Sequence, residues 1–215
     1  MEKSKNITSH TSKVSIRERA ILQAQNAVTV WLTGLSASGK STLAYELERR
    51  LHDLGHASYV LDGDNIRHGL CGDLGFSPEN RKENIRRIAE VARLFNEAGI
   101  VAITAFISPY RDDRVIARKI LGSDRFIETH VAADLAVCEQ RDPRGLYRKA
   151  RAGVISEFTG ISAPYEAPES PEIRLDTGSL SIEQSLARLL DVILPRLRDG
   201  HAQPRIQSSA VENAK

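Results

Sequence analysis

Val28-Thr-Val-Trp-Leu-Thr33 runs straight into Gly34-Leu-Ser-Ala-Ser-Gly39-Lys40-Ser41-Thr42, and this stretch decides the fold. Its first half is a β-branched run, which suits a pleated strand. Its second half, from Gly34 to Ser41, matches G-x-x-x-x-G-K-[ST]. Glycine lets successive backbone N–H groups turn inward around an anion, and the start of the following helix adds partial positive charge. In that arrangement the loop residues Gly34, Leu35, Ser36, Ala37, Ser38 and Gly39 cradle phosphates, with Thr42 closing the segment. Lys40 reaches the β- and γ-phosphates, and the Ser41 hydroxyl ligates Mg²⁺. The expected nucleotide is ATP. A glycine turn that fits by chance is the alternative, and the strand before and amphipathic helix after it argue against that. A guanine-reading N-K-x-D segment does not occur. Asp142-Pro-Arg-Gly145 fits D-x-x-G only formally, since no apolar strand precedes it.

Outward from the loop, strand and helix patterns alternate. Leu43, Leu47, Leu51 and Leu54 form one helical stripe, with Gly55 as its stop. Residues 58–61 read as a second strand. Ile85, Ile88, Ala92 and Phe95 predict a helix over 83–98, ended by Gly99. The apolar run 100–106 is a strand covered on both faces. A helix over 111–121, strands over 126–131 and 172–175, and a helix over 181–198 follow. Ser181 and Gln184 form a capping box for the last helix, and Pro195 kinks its final turn. Ser15 caps a short helix reaching about residue 26. The expected fold is α/β: a doubly wound, mainly parallel sheet flanked by helices, with ligands at the carboxyl ends of the strands. Residues 1–26 read as a polar extension with a short helix, 27–199 as the domain, and 200–215 as a polar tail, with both ends frayed.

Residues 141–171 break the rhythm. Pro143, Gly145, Gly153, Gly160, Pro164, Pro168 and Pro171 are interleaved with charges there. A loop this long in a compact domain is usually functional, and its basic first half predicts a mobile lid closing on anions. Arg141 is a candidate on the ATP side and Lys149 on the acceptor side.

Composition narrows the class. Thirty basic against 28 acidic residues give a net charge of +2 in 215 residues, too balanced for a nucleic-acid binder. Two distant cysteines, Cys71 and Cys138, make no disulfide framework and point to a reducing compartment. The polar start has no signal-peptide core, and the apolar run at 100–107 is too short to span a membrane. A cytoplasmic protein is expected, with no membrane partner.

Asp62-Gly63-Asp64-Asn65 follows the second strand, so both carboxylates emerge beside the phosphate loop. Transfer to a hydroxyl needs a group that takes its proton and an anchor for Mg²⁺. Asp64 is assigned as the base and Asp62, with Ser41, as the Mg²⁺ side; reversed roles stay open, as does a plain Asx-turn. Arg67, Arg81, Arg86 and Arg87 offer forks for phosphate-like anions, although Arg86 and Arg87 also fit a solvated helix face. Phe76 and Phe158 lie in loop segments, where an aromatic packs inward or stacks on a base.

The segments GLSASGKST (34–42), DGDNIRHGL (62–70), LGF (74–76), RKENIRR (81–87), FISPYR (106–111), RDPRGLYRKAR (141–151) and FTGI (158–161) resemble, in order, the motif series of adenylylsulfate (APS) kinases. The likeness spans about residues 28–194. It implies transfer of the ATP γ-phosphate to the 3′-hydroxyl of adenosine 5′-phosphosulfate. It also implies that Phe76 and Phe158 sandwich the acceptor adenine, and that Arg67, Arg81 and Asn84 hold its phosphosulfate and ribose. Ser108 matches a serine described in the family as a phosphoserine intermediate; direct in-line transfer needs none, so hydrogen bonding is the other reading. Ile107 beside it completes the acceptor set. The resemblance further implies a homodimer and coupling to an ATP sulfurylase. Arg144 stands where lysine is usual, and Asn80 where an acid is frequent. The competing readings are another small acceptor on the same fold, or an ATP-sensing module without catalysis; intact Lys40, Ser41, Asp62 and Asp64 oppose the latter.

Overall fold

Five parallel strands form the sheet of the computed structural model, which describes residues 7, 8 and 10–198. They are β1 (Thr29–Thr33), β2 (Ser58–Asp62), β3 (Val101–Ala105), β4 (Phe126–Val131) and β5 (Ile173–Leu175). Their order is β2-β3-β1-β4-β5, so β1 lies at the centre between β3 and β4. The chain leaves β1, skips a place to β2 and comes back through β3 before crossing to β4. A reversal of this kind opens a crevice at the carboxyl ends of the strands. The glycine-rich loop follows β1 into that crevice.

Alternation along β1 sends successive side chains to opposite faces. Val30 and Leu32 pack with Leu43, Leu47 and Leu51 of α2 (Lys40–Asp53) and with Leu186, Leu189 and Ile193 of α8 (Ile182–Leu197). Trp31 faces the other way, onto Ile85, Ile88 and Ala92 of α4 (Pro78–Glu97) and Ala117 and Leu121 of α5 (Arg111–Leu121). Burial of each large aliphatic chain contributes about 1.5–3 kcal/mol. Held from both sides, β1 gives the phosphate loop a rigid base.

Several boundaries differ from expectation. α2 ends at Asp53, so Leu54 falls on its C-cap and is exposed rather than completing the stripe. α4 begins at Pro78 rather than 83: Ser77 caps it by accepting from the Asn80 N–H, and proline suits a first helical position. Arg81 and Asn84 therefore stand inside a helix. α1 (Ile16–Gln23) has the expected Ser15 cap but stops short of 26, because Ala24 turns left-handed. The Ser181–Gln184 capping box is present, and Pro195 lies inside α8. Three short helices have no counterpart in the sequence reading: α3 (Gly63–Arg67), α6 (Leu135–Arg141) and α7 (Leu146–Arg151). The segment 141–171 is thus not one loop. Its Asp142 accepts from the backbone N–H groups of Tyr147 and Arg148, so Asp-Pro-Arg-Gly caps a helix. The expectations for 1–6 and 200–215 lie outside the described residues. Cys71 and Cys138 are free and buried.

Candidate active site

The phosphate loop is shaped by what its carbonyls are tied to. Lys40 Nζ donates to the Gly34 and Leu35 oxygens at 3.0 and 2.6 Å. The Tyr147 hydroxyl donates to the Ser36 oxygen at 3.0 Å, and the Thr177 hydroxyl to the Ser38 oxygen at 2.7 Å. With these carbonyls engaged, the peptide N–H groups are left to bind an anion. A Cβ on Gly34 would stand 2.5 Å from the Val131 carbonyl oxygen, so only glycine lets the loop pass this close to β4. Ala37 takes a left-handed conformation, φ 57°, which is costly without glycine. Burial pushes the Lys40 ammonium down to about 8. Arg141, at the end of α6, donates to the Thr177 carbonyl at 2.5 Å and joins this side of the crevice. Thr42 is exposed on α2.

The carboxylates divide. Ser41 Oγ donates to Asp62 Oδ2 at 2.7 Å, and the other Asp62 oxygen accepts from the Asp64 N–H at 3.0 Å, capping α3. Asp62 is buried. Asp64 is exposed in the first turn of α3 and pairs with Arg144 from the α6–α7 turn. Among the described residues no group of three or more His, Cys, Asp or Glu side chains could hold a metal by itself. One carboxylate and one hydroxyl beside a phosphate cradle fit an Mg²⁺ ion that arrives with its nucleotide.

A second cluster surrounds Phe76, which is 59% exposed. The Arg67 guanidinium lies 4.2 Å from the ring centroid and that of Arg81 5.7 Å away. Arg67 donates to the Leu74 and Gly75 carbonyls. Arg81 donates to the Phe76 carbonyl at 2.8 Å, the Glu157 carbonyl at 2.8 Å and Thr159 Oγ1 at 3.2 Å. It thereby ties the Phe76 loop to the segment carrying Phe158. The Phe158 ring meets the buried Tyr147 edge-on, 5.0 Å between centroids. Asn84 is 4% exposed, and its Oδ1 has no hydrogen-bond partner. A buried acceptor left open is costly unless something fills it.

Ser108 is 2% exposed in a left-handed turn, φ 38°. Its hydroxyl accepts from Trp31 Nε1 at 3.2 Å. Its carbonyl accepts from buried Arg114, which also donates to the Glu166 carbonyl and to Glu128. The Ile107 carbonyl accepts from Thr33 Oγ1. Lys149 is exposed on α7. Arg86 pairs with Glu83, and Arg87 with Asp73 and Glu83. Arg86, and then Arg87, hold the Glu83 carboxyl down at about 2. Both arginines are thus engaged by acidic neighbours.

Sequence reasoning missed Tyr147, Thr177 and Arg114. Tyr147 left a faint signal as the one aromatic in a basic run. Thr177 directly follows the last strand, at its carboxyl end. Nothing local marked Arg114, because its partners lie 6, 14 and 52 residues away.

The parallel sheet, its reversal beside β1 and the lysine-bearing loop define a P-loop kinase. A family model described as adenylylsulphate kinase matches residues 26–176. The chain is 54% identical over 193 residues to an adenylyl-sulfate kinase of Staphylococcus carnosus, covering 90% of this chain and 97% of that one. A second, from Aeromonas salmonicida, is 53% identical over 196 residues, covering 91% and 98%. A solved APS kinase of Mycobacterium tuberculosis, in complex with AMPPNP and APS, matches with a TM-score of 0.75 and 46% identity, covering 79% of this chain and 98% of that one. The chain belongs to the adenylylsulphate kinase family.

Proposed function

We propose that the protein transfers the γ-phosphate of ATP to the 3′-hydroxyl of adenosine 5′-phosphosulfate, giving ADP and 3′-phosphoadenosine 5′-phosphosulfate. The observation that supports this reading is the Ser41–Asp62 hydrogen bond, which ties the phosphate loop's helix to the carboxylate that also accepts from the Asp64 N–H. Residues 34–42 hold the ATP phosphates, with Lys40 on the β- and γ-oxygens and Arg141 on the nucleotide side. Ser41 and Asp62 hold Mg²⁺, which when bound neutralises charge on those oxygens. Asp64 accepts the proton of the 3′-hydroxyl as that oxygen attacks the γ-phosphorus in line. The bond from phosphorus to the β–γ bridging oxygen breaks, and ADP leaves. A direct displacement needs no covalent intermediate. A buried Ser108 hydroxyl, already hydrogen-bonded to Trp31, suits a role in ordering the acceptor wall with Ile107.

On the acceptor side, Phe76 and Phe158 hold the adenine, and Arg67 and Arg81 the anionic tail. Asn84 takes a ribose hydroxyl. Residues 141–171 act as the lid, with Lys149 over the acceptor. The test is ADP release with ATP and Mg²⁺, with and without micromolar APS, and the mass of the product. APS-dependent ADP and a 3′-phosphorylated product are expected. No APS-dependent release from protein that binds ATP would overturn the acceptor assignment.

A further inference from the structure

Tyr147 is buried, 2% exposed, yet it touches both halves of the site. Its hydroxyl donates to the carbonyl of Ser36, a residue whose N–H belongs to the phosphate cradle. Its ring packs against that of Phe158 in a T-shaped pair, with ring planes 78° apart. Its own backbone is fixed by Asp142. Leu35 and Ala37, on either side of Ser36, pack in the same apolar cluster as Tyr147 and Phe158. That packing is tight: a Cβ on Gly160, two residues beyond Phe158, would stand 2.9 Å from a Leu35 methyl. Burial raises the phenol's pKa, so the hydroxyl remains a donor across the working range.

We propose that Tyr147 is a positioning residue that couples nucleotide binding at the phosphate loop to the acceptor-side ring of Phe158. The inference rests on the reading of Phe158 as an acceptor contact. Phosphates bound to the loop fix the Ser36 peptide and with it the orientation of its carbonyl. The fixed carbonyl holds the Tyr147 hydroxyl, and the held ring limits the positions open to Phe158. APS then binds a wall already ordered. Linkage makes the effect reciprocal: APS tightens nucleotide binding by the same factor.

The experiment is calorimetric titration of the full chain with APS, in the absence and presence of AMPPNP and Mg²⁺, for wild type, Tyr147→Phe and Phe158→Leu. Wild type is expected to bind APS more tightly with the analogue. Tyr147→Phe should lower that ratio by about 2- to 12-fold, the worth of one neutral hydrogen bond, with APS affinity alone unchanged. An unchanged ratio overturns the proposal, whether the two affinities stay put or weaken together, as does a wild-type ratio of one. If Phe158→Leu leaves APS affinity intact, the acceptor reading of Phe158 fails and the coupling with it. If Phe158→Leu weakens APS while Tyr147→Phe keeps the ratio, only the role of Tyr147 fails. Should Tyr147→Phe not fold, Phe158→Leu cuts the same link at its other end, and its ratio must fall for the proposal to stand.

Discussion

Replacing Asn84 by leucine should make the free protein more stable and a poorer enzyme. The Asn84 side chain is 4% exposed on α4, and its Oδ1 accepts from nothing. A buried acceptor in that state costs about 1–3 kcal/mol, and an apolar chain of similar size removes the cost. For a chain of this length each kcal/mol shifts Tm by about 2–4 °C, so a rise of about 2–12 °C is expected by scanning calorimetry. The acceptor tail cannot satisfy Oδ1: an ionised phosphosulfate has no proton to donate. A ribose hydroxyl has one. Losing that bond, and leaving the hydroxyl unpaired in a closed site, should raise the KM for APS about 10- to 100-fold, with the KM for ATP within about twofold. A Tm that falls, together with an unchanged KM for APS, would refute the reasoning, because Oδ1 would then be serving the fold and not the ligand.

Asp64→Asn keeps the side chain's shape and removes its basicity; kcat should fall by about 10²–10⁴ with ATP affinity preserved, and near-normal turnover would take Asp64 out of the base role. The same change loosens the pair with Arg144, which is exposed on both sides and worth at most about 1 kcal/mol, so the fold should survive. Lys40 sits at about 8 in the free protein, so kcat/KM for ATP should be level below pH 8 and fall tenfold per unit above it; a profile level to pH 9.5 would contradict this. Its effect on stability has the opposite sign: between pH 8 and about 10.4 the unfolded chain binds more protons, so this group's contribution to stability grows with pH across that window and is lost as pH falls through 8. Gly34→Ala places a methyl 2.5 Å from the Val131 carbonyl oxygen, backbone held in β4; a loss of about 1–3 kcal/mol in denaturant unfolding and much weakened ATP binding are expected, and wild-type values for both would show that the loop can move aside.

The parts of the fold legible in the sequence are those fixed by near neighbours. The boundaries 111–121 and 126–131 match α5 and β4, because amphipathic spacing and a β-branched run are local patterns. The Ser15 and Ser181 caps match for the same reason: each is a bond spanning three residues. The start of α4 went unread because its polar first turn carries no apolar period, although Ser77-Pro78 was a local cap signal. The Asp62–Ser41 bond spans 21 residues, and the sheet order brings it about. Strand-end logic could reach it, since Asp62 ends β2 and Ser41 lies in the first turn of the helix that follows the β1 loop. Arg81 shows where that logic stops. Its arginine chemistry suggested an anion contact, but three of its donors are committed to Phe76, Thr159 and Glu157, the last two across 78 and 76 residues. No pattern in the chain encodes that span. The same guanidinium can still meet the acceptor's charge through its remaining N–H groups while holding the Phe76 and Phe158 segments together. A residue so placed makes binding and wall order one event, and its loss should cost more affinity for APS than a single ion pair at the surface would.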